Sequence, residues 1–134
     1  MGGILGGLRP NCLVEDVTVP ISRLTDLIRG IEGIADRYGI EIINFGHAGD
    51  GNFHTNILYD PDDPDQKKRL EPTRLDLHEL ACELGGTLTG EHGIGITKAK
   101  FMDLEHDPTA LKVMRSLKQV LDPNNILNPG KMAL

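Results

Sequence analysis

The sequence predicts an α+β fold: a ferredoxin-like βαββαβ sheet with helices on one face, followed by a C-terminal loop and helix. Three observations predict it. Strand-like and helix-like segments alternate in that order up to residue 89. No repeat or low-complexity tract interrupts them. A chain of 134 residues with 39% hydrophobic residues can bury one core. We therefore expect a single domain over residues 1–134.

The first half of the chain supplies three strands and one helix. Residues 13–19 are rich in β-branched side chains and predict the first strand. Apolar residues then recur at helical spacing between Ser22, a candidate N-cap, and Gly39, a typical C-terminal stop. Residues 40–46 and 52–59 predict the second and third strands, joined as a hairpin by the glycine-rich segment between them.

The second half predicts two helices and a short strand. After an acidic loop over residues 60–65, a helix is expected to begin near Pro72 and to end at Gly85-Gly86. Thr87-Leu88-Thr89 predicts a short fourth strand. Asp107-Pro108 is typical of a helix start. The last helix has one apolar face, formed by Leu111, Met114, Leu117 and Leu121.

The composition excludes several classes of protein. A net charge of −6 has the wrong sign for a protein that binds the phosphate backbone of nucleic acids. No apolar run approaches the roughly 18 residues that a transmembrane helix needs, and the first residues lack the basic start of a signal peptide. Cys12 and Cys82 form no CxxC motif, so no disulfide scaffold is expected. A reducing, cytoplasmic location is therefore expected.

A glycine-rich hairpin with two histidines is the first candidate site. Asp50-Gly51 is a strong signal for a two-residue type I′ turn. That turn would place His47 directly opposite His54, with their Cβ atoms about 4.5–5.5 Å apart on one face of the sheet. Both imidazoles could then bind one metal ion, and Asn56 would lie on the same face opposite Phe45. The alternative is two ordinary surface histidines that flank a glycine turn.

A second glycine-rich cluster, over residues 90–95, contains Glu91 and His92. Adjacent residues of an extended chain point in opposite directions, so these two side chains are expected to have different roles. Glu91 could complete a metal site of two histidines and one carboxylate, which leaves positions open for substrate oxygens. His92 would then face the substrate as an acid or base. The alternative is a tight turn whose two side chains are solvated.

Four other basic side chains are expected to have structural or surface positions. His78 lies within a predicted helix and His106 precedes a helix start, which favours structural or solvated side chains. Lys98 and Lys100 are expected to be surface charges, as most lysines are. None of the four is predicted to take part in a site.

Three motifs carry a resemblance to a known family. They lie, in this order, in residues 46–54, 85–95 and 121–131, and Glu15-Asp16-Val17 also fits the pattern. The chain resembles the C-terminal domain of FAD-linked oxidases, the family of the glycolate oxidase flavin subunit, D-lactate dehydrogenase and D-2-hydroxyglutarate dehydrogenase. The resemblance runs from about Arg9 to the end of the chain.

The resemblance implies an activity and roles for individual residues. It implies an FAD-dependent 2-hydroxy-acid dehydrogenase or oxidase that transfers a hydride from C2 of the acid to the flavin. It implies that His47, His54 and Glu91 hold a divalent metal, often zinc, which binds the substrate. It also implies that His92 binds the substrate and removes its hydroxyl proton, and that Asn56 hydrogen-bonds the substrate carboxylate.

The resemblance also implies a partner for this segment. FAD would be bound mainly by a separate N-terminal domain, while Asn128 and Lys131 would lie near the flavin. We therefore expect an FAD-binding domain or subunit as partner, and no turnover by these 134 residues alone. Separation from that partner would expose apolar surface, so formation of homo-oligomers is also expected.

The resemblance further favours a small substrate. Members that act on 2-hydroxyglutarate have a lysine just before the first strand, where this sequence has Val14-Glu15, and Arg9 is the only cation nearby. This difference favours glycolate or D-lactate over a dicarboxylate. The alternative interpretation of the whole chain is a stand-alone metal-binding or protein-interaction domain without redox activity.

Overall fold

The computed structural model describes residues 11–134, so Arg9 lies outside the described part. One antiparallel sheet in the order β1-β3-β2 consists of β1 (Asn11–Thr18), β2 (Glu41–His47) and β3 (Asn52–Tyr59). Residues 11–134 contain four α-helices: α1 (Leu24–Tyr38), α2 (Pro64–Glu83), α3 (Met102–Glu105) and α4 (Pro108–Leu121). The α+β prediction is confirmed. None of the described helices is long and apolar enough to cross a membrane.

The two long helices α1 and α2 cover one face of the sheet. That face and the helices share a core of buried residues: Val17, Val19, Leu27, Ile31, Leu77 and Ala81. Because Val17 points toward the helices, the side chain of its neighbour Asp16 points to the opposite face. Asp16 pairs with His54 across β1 and β3, so both side chains lie on that opposite face. The helices α1 and α2 therefore pack on one face of the sheet, and the candidate site lies on the other face.

The predicted fourth strand is wrong in extent, because only one residue of it pairs with the sheet. Thr87 forms an isolated antiparallel bridge with Thr18, through backbone hydrogen bonds of 2.8 and 3.3 Å. The next residue, Leu88, donates its N–H to the carboxylate of Glu105 at 2.9 Å and accepts at its carbonyl from Lys98 Nζ at 2.8 Å. Because the N–H and carbonyl groups of Leu88 are both hydrogen-bonded to side chains, the backbone pairing with β1 does not continue past Thr87.

The helix starts differ from the predicted ones in two of three cases. A short 3₁₀ turn precedes α1, and no side chain caps it, so the N-cap predicted at Ser22 is wrong. α2 begins at Pro64, capped by the Asp63 carboxylate, rather than near Pro72, which lies inside the helix. The proline at the first position and the aspartate before it are strong start signals, and they outweigh the bond that Pro72 removes. α4 begins at Pro108, as predicted.

The apolar face of α4 is only partly covered. Leu111 and Met114 pack against a second cluster of buried residues, formed by Leu88, Ile94, Phe101 and Met102. Leu117 and Leu121 are 57% and 77% exposed. The exposed apolar residues of this helix recur at helical spacing, and we call them the α4 surface: Val113, Leu117, Val120 and Leu121.

Candidate functional site

The hairpin between β2 and β3 brings its two histidines onto one face, although in a different register from the predicted one. His47 pairs with Asn52 and His54 pairs with Phe45, so the predicted direct pairing of the two histidines is wrong. The loop comprises residues 48–51 and not the Asp50-Gly51 turn alone. A slip of two residues preserves the alternation of faces. The two imidazole rings therefore still meet, with centroids 5.5 Å apart.

A tertiary contact of Gly51 explains this register, and a close contact of Gly46 within the hairpin accompanies it. Gly51 has a φ of +71°, and its carbonyl accepts the N–H of Val19 at 3.1 Å. A Cβ atom on Gly51 would lie 2.0 Å from the Val19 carbonyl oxygen. A Cβ atom on Gly46 would lie 2.3 Å from the carbonyl oxygen of Asn52. The loop thus folds against the end of β1, and this contact overrides the local preference for a two-residue turn.

Glu91 joins the two histidines. Its Oε1 lies 3.3 Å from His47 Nε2 and 3.1 Å from His54 Nε2. Asn52 Nδ2 donates to the same oxygen at 3.3 Å. His54 is nearly buried, whereas about half of the His47 and Glu91 side chains is exposed. Three atoms that could bind a metal ion, two imidazole nitrogens and one carboxylate oxygen, therefore lie within 4.8 Å of one another. They come from three separate segments, at a position that solvent can reach.

A buried aspartate that sequence reasoning did not assign to the site fixes the loop that carries Glu91. Asp16 Oδ2 accepts the hydroxyl hydrogen of Thr89 at 2.6 Å. It also accepts the backbone N–H groups of Gly90, Glu91 and His92 at 2.9, 2.9 and 2.8 Å. Successive backbone N–H groups wrapped around one anion form a nest. The only sequence signal for this role was the position of Asp16 within the pattern of the resemblance.

The same contacts keep the Asp16 carboxyl ionised. Burial raises its pKa, but the hydrogen bonds from Thr89 and from the backbone of His92 and Glu91 lower it more, and the positive charge of Lys98 adds to them. The net result is a pKa of about 2. The loop is therefore anchored to a permanent negative charge throughout the neutral range.

His92 also contacts His54. The rings of His92 and His54 are stacked, with centroids 4.8 Å apart and planes 7° from parallel. Glu91 and His92 were expected to point in opposite directions, yet both side chains reach His54. The reason is that residues 90–92 are not extended but wrap around Asp16. The His92 side chain is exposed.

Asn56 is buried on the same face, and its amide is bound to the backbone. It pairs with Ile43 and not with the predicted Phe45, because of the same two-residue slip. Its Nδ2 donates to the carbonyls of Ile43 at 3.1 Å and His54 at 2.8 Å, and its Oδ1 accepts from Cys12 Sγ at 3.4 Å. These bonds hold β3 and the backbone of His54 in place.

Two residues expected outside the site are buried behind it. Lys98 is 4% exposed, so its prediction as a surface charge is wrong. His78 is fully buried, with Nε2 3.2 Å from the carboxylate of Glu15, which also pairs with Arg74. Lys100 is half-exposed and pairs with Glu71. The charges of Glu15, Arg74 and Lys98 form a buried network between β1, α2 and the loop that follows the site.

The tail residues Asn128 and Lys131 lie apart from the histidines. Both are exposed, and Lys131 donates its N–H to the Asn128 carbonyl at 3.3 Å. Within residues 11–134, no hydrogen bond or ion pair joins either side chain to the histidines or to Glu91. The tail nevertheless contacts the glycine-rich loop, because Met132 donates its N–H to the Gly95 carbonyl at 2.7 Å.

A cleft of about 320 Å³ opens beside the donor atoms. Its walls include His47, Asn52, Gly90 and Glu91. A Cβ atom on Gly90 would lie 2.3 Å from the hydroxyl oxygen of Thr18 and 2.6 Å from Asn52 Cγ. The absence of a side chain at this glycine thus lets the loop close over the hairpin and form the cleft.

Comparisons with known proteins agree with this arrangement of motifs. The chain matches the model of the family "FAD linked oxidases, C-terminal domain" over residues 1–132. It is 44% identical over 128 residues to the glycolate oxidase subunit GlcD of Bacillus subtilis, covering 96% of this chain and 27% of that protein. It is 41% identical over 133 residues to a D-lactate dehydrogenase of Archaeoglobus fulgidus, covering 98% of this chain and 29% of that protein.

A third relative is named as mitochondrial. It is the cytochrome-type D-lactate dehydrogenase of Arabidopsis thaliana, 40% identical over 120 residues, a match that covers 90% of this chain and 21% of that protein. The cytoplasmic location of this chain therefore stays a prediction.

The chain spans between 21% and 29% of the length of these relatives. Because the family match extends over nearly every residue, the chain belongs to the FAD linked oxidases and corresponds to their C-terminal domain.

Proposed function

We propose that this chain is the substrate- and metal-binding part of an FAD-dependent enzyme that oxidises glycolate or D-lactate to the 2-oxo acid. The observation that carries the proposal is the convergence of His47, His54 and Glu91 within 4.8 Å on the face of the sheet opposite α1 and α2. The family match supports it, as do relatives named glycolate oxidase and D-lactate dehydrogenase.

The donor set suits a divalent metal, and zinc in particular. Zinc bonds of about 2.0–2.1 Å in tetrahedral geometry place neighbouring ligand atoms about 3.3 Å apart. Glu91 Oε1 lies 3.3 and 3.1 Å from the two histidine nitrogens. Two imidazoles and one carboxylate leave open positions, as a catalytic site requires. A metal held by these residues would supply Lewis-acid chemistry that acidifies the substrate hydroxyl.

His92 is the proposed base. Its exposed ring is stacked on the ring of His54, one of the proposed metal-binding residues, and its backbone N–H is bound by the Asp16 carboxylate. We infer that an imidazole nitrogen of His92 accepts the hydroxyl proton of the substrate. The C2–H bond breaks as a hydride, C2–O becomes a carbonyl, and FAD supplies the two-electron acceptor that the reaction requires.

The residues around Asn56 favour a monocarboxylate. Val14 pairs with Asn56 across β1 and β3 and is 46% exposed on the face of the site. Its neighbour Glu15 points to the other face and is buried against Arg74. An apolar side chain therefore stands at this position, where a second substrate carboxylate would need a cation. Asn56 stays proposed as the carboxylate-binding amide, but both of its N–H groups are donated to the carbonyls of Ile43 and His54, so a bond to the substrate carboxylate would have to replace one of them.

The α4 surface is the proposed contact with the FAD-binding part of the enzyme. Four apolar side chains of one helix are exposed there, and Ile126 and Leu127 in the following tail are 73% and 61% exposed. Contiguous exposed apolar residues mark interaction surfaces. The chain spans less than a third of its relatives, so a large partner segment is available to cover them. Asn128 and Lys131 continue this tail and stay proposed as flavin-side residues.

A chimera tests the proposed activity. This chain would replace the matching segment of the Bacillus subtilis glycolate oxidase subunit, and reduction of an electron-accepting dye would be measured with glycolate and D-lactate. We expect turnover in the chimera, its loss in His92→Ala, and its retention in the control His106→Ala. We expect none from the 134-residue chain with added FAD, because no bound flavin takes the hydride.

The alternative function gives a different result in the same experiment. A stand-alone metal-binding or interaction domain would also use the exposed α4 surface, but it would not restore dye reduction. A chimera that binds FAD and zinc in full yet turns over neither substrate would contradict the proposed function and favour that alternative.

A further inference from the structure

Two buried polar atoms of neighbouring residues at the site have no hydrogen-bond partner among residues 11–134. They are Oδ1 of Asp16 and Nδ1 of His54. The two residues are direct partners across β1 and β3, so their side chains leave the sheet on the same face. One carboxylate oxygen of Asp16 and one nitrogen each of His54 and His92 lie within 4.8 Å of one another. Unpartnered buried polar atoms are costly and need an explanation.

The two nitrogens of His54 have different surroundings. Nε2 lies 3.1 Å from Glu91 Oε1, at the proposed metal position, whereas Nδ1 is the buried atom without a partner. A neutral imidazole has one N–H group and one nitrogen with a free lone pair. Nε2 of His54 can therefore bind a metal only when Nδ1 carries the proton.

We propose that Asp16 is a positioning residue that couples both halves of the site. Its Oδ2 holds the loop that presents Glu91 and His92, and its Oδ1 accepts the Nδ1–H of His54 when a metal binds at Nε2. A carboxylate that orients a metal-binding histidine through its second nitrogen is a common arrangement. Here the same carboxylate also holds the segment that supplies the third ligand. The inference rests on the proposed function, because it concerns the same metal.

The substitution Asp16→Asn separates this role from simple packing. An amide has the shape of a carboxylate but only one acceptor oxygen. If that oxygen stays with the loop, the NH₂ group faces His54 and favours the tautomer with its proton on Nε2, which blocks metal binding there. If the amide turns over, its NH₂ group meets three backbone N–H groups and the loop loses its anchor. Both orientations weaken metal binding.

Calorimetric titration of the metal-free chain with Zn²⁺ tests the proposal. Asp107→Asn is the matched control, because Asp107 also accepts two backbone N–H groups, those of Thr109 and Ala110 at 2.7 and 2.8 Å, but lies at the start of α4. We expect about 10- to 100-fold weaker Zn²⁺ binding in Asp16→Asn and unchanged binding in Asp107→Asn. Equal Zn²⁺ affinity in Asp16→Asn and the wild type would overturn the proposal.

A second measurement reads the tautomer of His54 in the metal-free protein, and its first arm needs no variant. The ¹⁵N chemical shifts of neutral His54 report which nitrogen carries the proton. We expect Nδ1–H in the wild type and a change toward Nε2–H in Asp16→Asn, whereas a purely structural role would leave the tautomer unchanged. An Nε2–H tautomer in the wild type would overturn the proposal even if the variant fails to fold. A wild type with Nδ1–H that binds no Zn²⁺ would contradict the proposed function instead.

Discussion

The side chain of Lys98 donates to the backbone carbonyl of Asp16 at 2.7 Å and to that of Leu88 at 2.8 Å. It thereby joins β1 to the segment that leads into the site loop. Burial lowers the pKa of Lys98, and the carboxylates of Glu15 and Asp16 partly oppose this effect, so its pKa lies below the ordinary value. The Lys98 ammonium binds the segment that precedes the loop, while the Asp16 carboxylate binds the backbone of the loop itself.

Replacement of Lys98 by methionine should destabilise the fold. Both carbonyls would lose their donor, and the buried carboxylates would lose a compensating charge, so we expect a loss of about 3 kcal/mol in the free energy of unfolding. Urea denaturation measures it. The control is Lys100→Met, whose side chain is half-exposed, with an expected change within about 0.5 kcal/mol. A similar small change in both variants would contradict the role of Lys98.

A methyl group at Gly90 should weaken Zn²⁺ binding. The added Cβ would meet Thr18 and Asn52 at 2.3 and 2.6 Å, and the displaced Asn52 would no longer donate to Glu91. We expect a lower Zn²⁺ affinity in Gly90→Ala, measured by titration. The matched control is Gly49→Ala in the hairpin loop, where a Cβ has no neighbour within 4 Å. Unchanged affinity in Gly90→Ala would show that Asn52 does not help to position the carboxylate.

The buried carboxyl of Glu15 should make stability depend on pH. Burial raises its pKa, but the contacts with His78 and Arg74 lower the pKa by more than burial raises it. The pKa of Glu15 in the folded protein therefore lies below the ordinary 4.5. Because the pKa is lower in the folded protein than in the unfolded chain, the ionised carboxylate stabilises the fold at pH values above its unfolded-state pKa. This contribution is lost as the pH falls through the folded-state pKa. Urea denaturation should show the wild type to have a higher free energy of unfolding than Glu15→Gln. This difference should be largest above about pH 5 and should decrease below about pH 4. A difference that grows on acidification would contradict this assignment.

The α4 surface should cause self-association of the isolated chain. Leu117 and Leu121 are exposed on one side of α4, and burial of such residues between two copies is favourable. Light scattering after size-exclusion chromatography should show oligomers for the wild type and monomers for the double variant Leu117→Glu/Leu121→Glu. Ile96→Glu, at another exposed position, should leave the oligomers intact. A monomeric wild type would contradict this prediction.

Elements with a strong local signal could be predicted from the sequence. The periodicity of α1 and the Asp107-Pro108 start of α4 are properties of neighbouring residues, and the structure agrees with them. The faces of His47 and His54 were also predictable, because a slip of two residues preserves them. The register itself was not predictable, since the contact between Gly51 and Val19 decides it.

The long-range contacts of the site could not be predicted. Asp16 is separated from the loop it anchors by 73 to 76 residues, and no local pattern distinguishes it from a surface aspartate of a strand. Lys98 resembled a surface lysine for the same reason, because its acceptors are carbonyl groups of Asp16 and Leu88 that only the fold brings together. The residue types of the site were visible in the sequence, but their supporting contacts were not.

The zinc content of the chain purified without a histidine tag tests the central claim most directly. Elemental analysis would compare the wild type with the double variant His47→Ala/His54→Ala and with the control His106→Ala. We predict about one equivalent of zinc in the wild type and in the control, and none in the double variant. A wild type that binds no zinc even after incubation with excess Zn²⁺, or a double variant that keeps it, would contradict the assignment of this cluster as a metal site.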